Sequence, residues 1–147
     1  MNDVVNKLEA IRDKFDEKTQ KKLRVQVFIN LCNKLNEESD LNIQMKINQS
    51  LDLLYALSQD STIKKREYRK SFSSLQKEVR NKYGYTAKGQ IKEEYTGFGI
   101  AIGVALGAPF SAINPAFIGI GLPIGLAIGV AVGEKKEKEA EEKGNVY

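Results

Sequence analysis

From Tyr95 to Gly133 the chain carries no charged side chain, although Asp, Glu, Lys and Arg make up 29% of its residues. These 39 positions read YTGFGIAIGVALGAPFSAINPAFIGIGLPIGLAIGVAVG and hold nine of the twelve glycines. A soluble domain in a chain of 147 residues does not need such a segment, so it points first to a membrane. One straight helix does not account for it. At about 1.5 Å per residue, roughly 20 residues cross a hydrocarbon core of about 30 Å, and this run is about twice that long. Near its middle lies Asn114-Pro115. Proline lacks the N–H and disfavours helix at the residue before it. The pattern therefore predicts a hairpin over residues 97–133, with arms Gly97–Ile113 and Ala116–Gly133 and a turn at Asn114 and Pro115. The competing reading is a buried helical hairpin of a soluble protein.

The flanks favour the membrane. Lys88 and Lys92 precede the first arm, and Lys135, Lys136, Lys138 and Lys143 follow the second, whereas the turn has neither Lys nor Arg. Basic residues stay on the cytoplasmic side. The expectation is a hairpin in the inner (cytoplasmic) membrane with both termini cytoplasmic. Residues 1–22 are charged throughout and do not read as a secretory signal peptide.

The glycines are evenly spaced. Gly99, Gly103 and Gly107 fall four apart, as do Gly121, Gly125, Gly129 and Gly133. Four residues return nearly to the same helix face, so each arm presents a groove of small residues flanked by Ile, Val, Leu and Ala. In lipid, small-xxx-small faces let helix backbones approach closely. These seven glycines are the candidate helix-packing and oligomerisation residues, within one hairpin or between hairpins. Pro123 departs from the repeat and is expected to kink or break the second arm.

The runs G-IAI-G-VAL-G and G-LPI-G-LAI-G-VAV-G resemble the glycine-zipper membrane hairpins of bacterial proteins. Some of those form oligomeric channels or pores, and others are envelope anchors. The resemblance covers residues 97–133 and is specific for close helix packing. The whole plan, a soluble domain followed by such a hairpin, is similar to small membrane effectors of bacterial abortive-infection (anti-phage) systems, and also to phage holins. It implies a homo-oligomeric membrane effector that forms an ion channel or pore gated by its cytosolic domain. Its lumen would be apolar and gated by dewetting. The alternatives are a membrane-anchored adaptor or scaffold whose helical domain binds a partner protein, and a holin.

The remaining residues argue against an enzyme. There is no histidine and no tryptophan, which removes imidazole acid–base chemistry and His-containing zinc sites. No nucleotide-binding glycine loop precedes the hairpin, and no cofactor is expected. Cys32, the single cysteine, sits in an apolar run and reads as a small buried hydrophobe.

Residues 1–84 read as a cytosolic helical bundle, so the fold class is mainly α. Val4, Leu8, Ile11 and Phe15 keep a 3–4 spacing. Thr19 is a candidate cap for a second helix carrying Leu23, Val27 or Phe28, Leu31 and Leu35. A break at 36–40, with Ser39 or Asp40 as cap, leads to a third helix carrying Ile47, Leu51, Leu54 and Tyr55. Asp60-Ser61-Thr62 breaks again before a fourth with Tyr68, Phe72, Leu75 and Val79, stopped at Gly84. Residues 25–31 and 41–47 also alternate at period two, a strand pattern, although helix is favoured.

Charge is unevenly placed. Residues 64–92 hold ten basic and two acidic side chains, whereas residues 1–63 are nearly neutral. Residues 85–96 read as a basic juxtamembrane linker. Lys64, Lys65, Arg66, Arg69 and Lys70 form the densest cluster. It is a solvated face, a contact for anionic lipid headgroups, or a site for an anionic ligand such as a nucleotide signal or short nucleic acid, with Tyr68 and Phe72 available to stack on bases. A regulatory protein is a further candidate partner. The tail, 134–147, reads as a charged, solvated extension of the second arm that stops transfer and carries no evident chemistry.

Overall fold

The computed structural model describes residues 2–35, 40–59, 65–109 and 116–147, with side chains described from residue 119 in the last stretch. The helices are α1 (Asn2–Arg12), α2 (Glu17–Leu23), α3 (Val25–Leu35), α4 (Leu41–Gln59), α5 (Lys65–Tyr83), α6 (Gln90–Gly107) and α7 (Ala116–Glu142). Among the described residues there is no strand beyond one isolated bridge, between Thr86 and Val146. The fold is mainly α, as the spacing predicts. The chain divides into two compact units, Met1–Tyr85 with Tyr147, and Thr86–Val146.

In the first unit α4 packs on α5, and α1 on α3 and α4. The core is built of large side chains. Leu8, Val25, Phe28, Leu31, Ile43, Leu54, Tyr68, Leu75 and Val79 are essentially inaccessible. Phe72 lies between Phe28 and Tyr68, with ring centroids 4.9 and 5.9 Å away. The Tyr68 hydroxyl donates to the Leu23 carbonyl at 3.0 Å, and its burial raises the phenol's pKa. Cys32 is buried, and desolvation pushes its thiol up to about 12, which makes it unreactive at neutral pH.

Both segments with period-two alternation are helical. In α3 the buried residues Val25, Phe28, Ile29, Cys32 and Leu35 follow helical spacing, while Gln26 and Asn30 bond to each other on the outside at 3.0 Å. In α4, Ile43 and Ile47 are buried but Leu41 and Met45 are exposed, so half of the apparent alternation faces away from any core. Tyr55 is exposed as well, with the Lys14 ammonium 5.3 Å from its ring centroid; the expected Leu54 is buried, and Leu57, which the spacing did not single out, is buried with it.

The expected second helix is two. Asp16, rather than Thr19, is the cap. Its carboxylate accepts from the Thr19 N–H at 2.8 Å and from the Thr19 hydroxyl at 2.7 Å, which lowers its pKa. The helix stops at Arg24, which adopts a left-handed conformation with φ 56°, and α3 begins at the next residue. Asp40 caps α4, accepting from the Ile43 N–H at 2.9 Å. Its carboxyl is held below the usual range, first by a hydrogen bond from Lys82 and then by that of Ile43. Gly84, φ 74°, follows the end of α5, and its N–H closes on the Arg80 carbonyl at 2.9 Å. The candidate cap Ser39 and the break at Asp60-Ser61-Thr62 lie outside the described residues.

The second unit is the α6–α7 pair. α6 begins at Gln90, inside the stretch that reads as a linker, and α7 runs on through residue 142, taking in most of the charged tail. Pro123 does not break α7. Its ring is on the exposed side, and the helix forgoes one hydrogen bond there. Among the described residues no helix is long and apolar enough to cross a membrane. The charged residues Lys92, Glu93 and Glu94 fall in the first turns of α6, which shortens its apolar part.

Candidate functional site

The two four-residue glycine repeats face each other. Gly99 lies against Gly125 and Gly129, Gly103 against Gly121 and Gly125, and Gly121 against Gly107, so the helices run antiparallel. A Cβ added to Gly103 would sit 2.5 Å from the Gly121 carbonyl oxygen and 3.2 Å from the Gly125 Cα. One added to Gly129 would sit 2.5 Å from the Tyr95 carbonyl oxygen, and one on Gly133 would sit 2.9 Å from the Lys92 Cα. The obstacles are mainly backbone atoms, which cannot swing aside as a side chain does. Any larger residue forces the helices apart. The glycines between these faces behave differently: a Cβ on Gly97 or Gly119 meets nothing within 4 Å.

All the large side chains of the described hairpin therefore point elsewhere. Among the described residues fourteen large hydrophobics are exposed, and eleven belong to α6 and α7. Phe98 is 65% exposed, Ile102 57%, Leu106 65%, Ile124 55% and Ile128 59%. The hairpin has an interior of glycine and an exterior of Ile, Val, Leu and Phe.

At its base the zipper ends in a carboxylate. Four residues past Gly133, on the same face, comes Glu137, only 9% exposed. It accepts hydrogen bonds from the Gly89 N–H and, at 3.2 Å, from the Lys92 N–H. Gly89 is the N-cap of α6, with φ 84° and no side chain to cap the helix itself. A carboxylate from α7 thus satisfies backbone donors at the start of α6 and places negative charge at the positive end of its dipole. Two ion pairs flank it, Lys92 with Glu134 at 2.6 Å and Lys88 with Glu141 at 3.2 Å. The Thr86 N–H donates to the Asn145 carbonyl at 2.9 Å, and the Asn145 N–H to the Ala140 carbonyl at 2.8 Å. The tail is more than a solvated extension: Glu134, Glu137 and Glu141 clasp the start of α6. Their 3–4 spacing, continuing the glycine step, is the signal that would have found them.

Of the basic cluster, Lys65, Arg66, Arg69 and Lys70 are exposed on α5 in the first unit. Lys64 lies outside the described residues, as does the predicted turn at Asn114 and Pro115. Tyr68 and Phe72, 1% and 3% exposed, belong to the core and offer no face to a base. Comparison of the chain with protein-family models, with curated proteins and with solved structures finds no match.

Proposed function

We propose that α6 and α7 form a hairpin inserted in the cytoplasmic membrane with both ends on the cytoplasmic side. Copies then assemble through their outer Ile, Val and Leu faces into a channel or pore governed by the α1–α5 bundle. The observation that carries the membrane reading is the inverted hairpin, glycine inside and eleven exposed large hydrophobics outside. Moving each such side chain out of water gains roughly 1 kcal/mol or more, on the order of 10 kcal/mol together. The helical backbone satisfies its own polar groups, as lipid requires. The apolar part of α6, Tyr95–Gly107, is about 20 Å long at 1.5 Å per residue. The apolar sequence continues beyond it to the start of α7, through residues outside the description.

A second reading has its own support. The glycine faces are occupied within one hairpin, so the close backbone approach that drives helix association in lipid is already used. That favours a self-contained anchor displaying the bundle to a partner protein. The abortive-infection setting rests on the resemblance of the plan and on nothing in the geometry.

Purification in detergent with mass measurement, followed by conductance in planar bilayers, separates the readings. An oligomer that conducts, and that depolarises cells and arrests growth on overexpression, supports the effector. A monomer that resists alkaline carbonate extraction yet never conducts is the anchor. Release by carbonate overturns the membrane hairpin itself.

A further inference from the structure

The buried face of α5 is Tyr68, Phe72, Leu75 and Val79. At 100° per residue, Arg66, Arg69, Lys70, Ser73, Lys77 and Arg80 share one arc about 100° wide on the opposite side, and all six are exposed. No acidic residue falls in that arc. Glu78 lies outside it and pairs with Lys46 of α4. The result is a straight basic strip of about 21 Å, fourteen helical rises of 1.5 Å. It extends well past the cluster at 64–70 that composition singles out.

We propose that this strip lies along an anionic lipid surface and docks the helical bundle on the membrane that holds the hairpin. The proposal rests on the hairpin being in a bilayer. Charge complementarity is the first argument. Each basic residue near an anionic leaflet adds attraction, and several in a row act together. The shape of the strip is the second. It is the convex side of a helix and it contains no aromatic residue, so it lacks the stacking platform with which single-stranded nucleic acid is held. Connectivity is the third. Six residues separate Tyr83, the end of α5, from Gln90, the start of α6, and such a segment reaches no more than about 20 Å. A hairpin in the bilayer keeps the end of α5 near the headgroups, so docking is intramolecular and a modest attraction per charge suffices.

The test uses the full chain reconstituted in vesicles, with Cys32→Ala and an environment-sensitive dye at Ser73→Cys, in the middle of the strip. A control carries the dye at Gln26→Cys, exposed on α3. The vesicles are phosphatidylcholine, alone or with about a third phosphatidylglycerol. Expected is a shift of the Ser73 dye to an apolar environment in anionic vesicles only, reversed by about 0.5 M salt, with no change at Gln26. Single changes Arg66→Gln, Arg69→Gln, Lys70→Gln or Lys77→Gln lower the docked-to-undocked ratio roughly fivefold each, and the four together abolish docking. No anionic response, or an equal one at Gln26, overturns the proposal. So does an RNA oligonucleotide that shifts the dye on neutral vesicles when anionic lipid does not. Carbonate extraction of the same vesicles keeps the two readings apart. A retained hairpin with an undocked dye sinks the strip alone, and a released hairpin with a docked dye sinks the hairpin together with the tethered docking, leaving only the strip's own attraction to anionic lipid.

Discussion

The two units solve the packing problem in opposite ways. In the α1–α5 bundle the interior is Phe28, Tyr68, Phe72 and a set of Leu, Ile and Val, and the outside is charged. In the α6–α7 hairpin the interior is glycine, and the large apolar side chains face out. Water drives the first arrangement, since burial of apolar surface is its main source of stability. Water works against the second, whose cohesion comes from backbone-to-backbone contact. The same residue type thus has opposite meanings in the two units. An Ile in α3 or α4 is buried in the core, and an Ile in α6 or α7 stands on the outside.

The sharpest way to break this contrast is to charge the hairpin's exterior. Ile102→Lys together with Ile124→Lys should cost about 6–8 kcal/mol of transfer into a bilayer while leaving the zipper contacts intact. Expected is loss of the protein from carbonate-washed membranes; full retention would mean that these faces do not meet lipid. Next in size is Leu54→Ala, which should remove about 3 kcal/mol from the bundle. It shows as a lower denaturant midpoint for the Phe28–Phe72 cluster, with membrane retention unchanged. Gly103→Ala is the mirror experiment, adding one methyl where Leu54→Ala removes several atoms. It should cost about 1–3 kcal/mol, read as faster amide exchange across α6 and α7 and not in the bundle. Glu137→Ala leaves the Gly89 and Lys92 N–H groups without their carboxylate and should cost about 1 kcal/mol, with faster exchange confined to the first turn of α6. The smallest effect carries the opposite sign. Gly97→Ala or Gly119→Ala should stabilise its helix by about 0.5–1 kcal/mol, because a Cβ there meets nothing. If Gly97→Ala harms the hairpin as much as Gly103→Ala does, the outer face is packed against something else.

The regular parts of this architecture were legible. Tyr68, Phe72, Leu75 and Val79 repeat at 3–4 with charge on the other side, and α5 buries all four. The glycine spacing defined two faces, but a groove of hydrogen atoms carries no mark of its occupant. Whether each arm meets its neighbour in the chain or another copy is therefore not written in the repeat. The break at Arg24 left no trace, because the apolar spacing runs on from Leu23 through Leu35 and neither glycine nor proline marks the left-handed residue. Tyr55 was misread because Leu54 beside it satisfies the same spacing one residue earlier. Glu137 was hidden by its surroundings: among four lysines and four other glutamates, the buried carboxylate on the glycine face looks like the rest.

A stripe repeating every four residues is an ambiguous ruler. Slide α7 by one turn against α6, and glycine still meets glycine along most of the contact, with a larger residue entering the close contact only at one end of the repeat. What distinguishes one alignment from the next is what happens where the repeat ends. With Glu137 seated on the Gly89 and Lys92 amides, a slip of one turn carries the carboxylate about 6 Å away and brings either Gly133 or Glu141 to the helix start in its place. Glu137, with the flanking Lys92–Glu134 and Lys88–Glu141 pairs, acts as a detent on an otherwise smooth track.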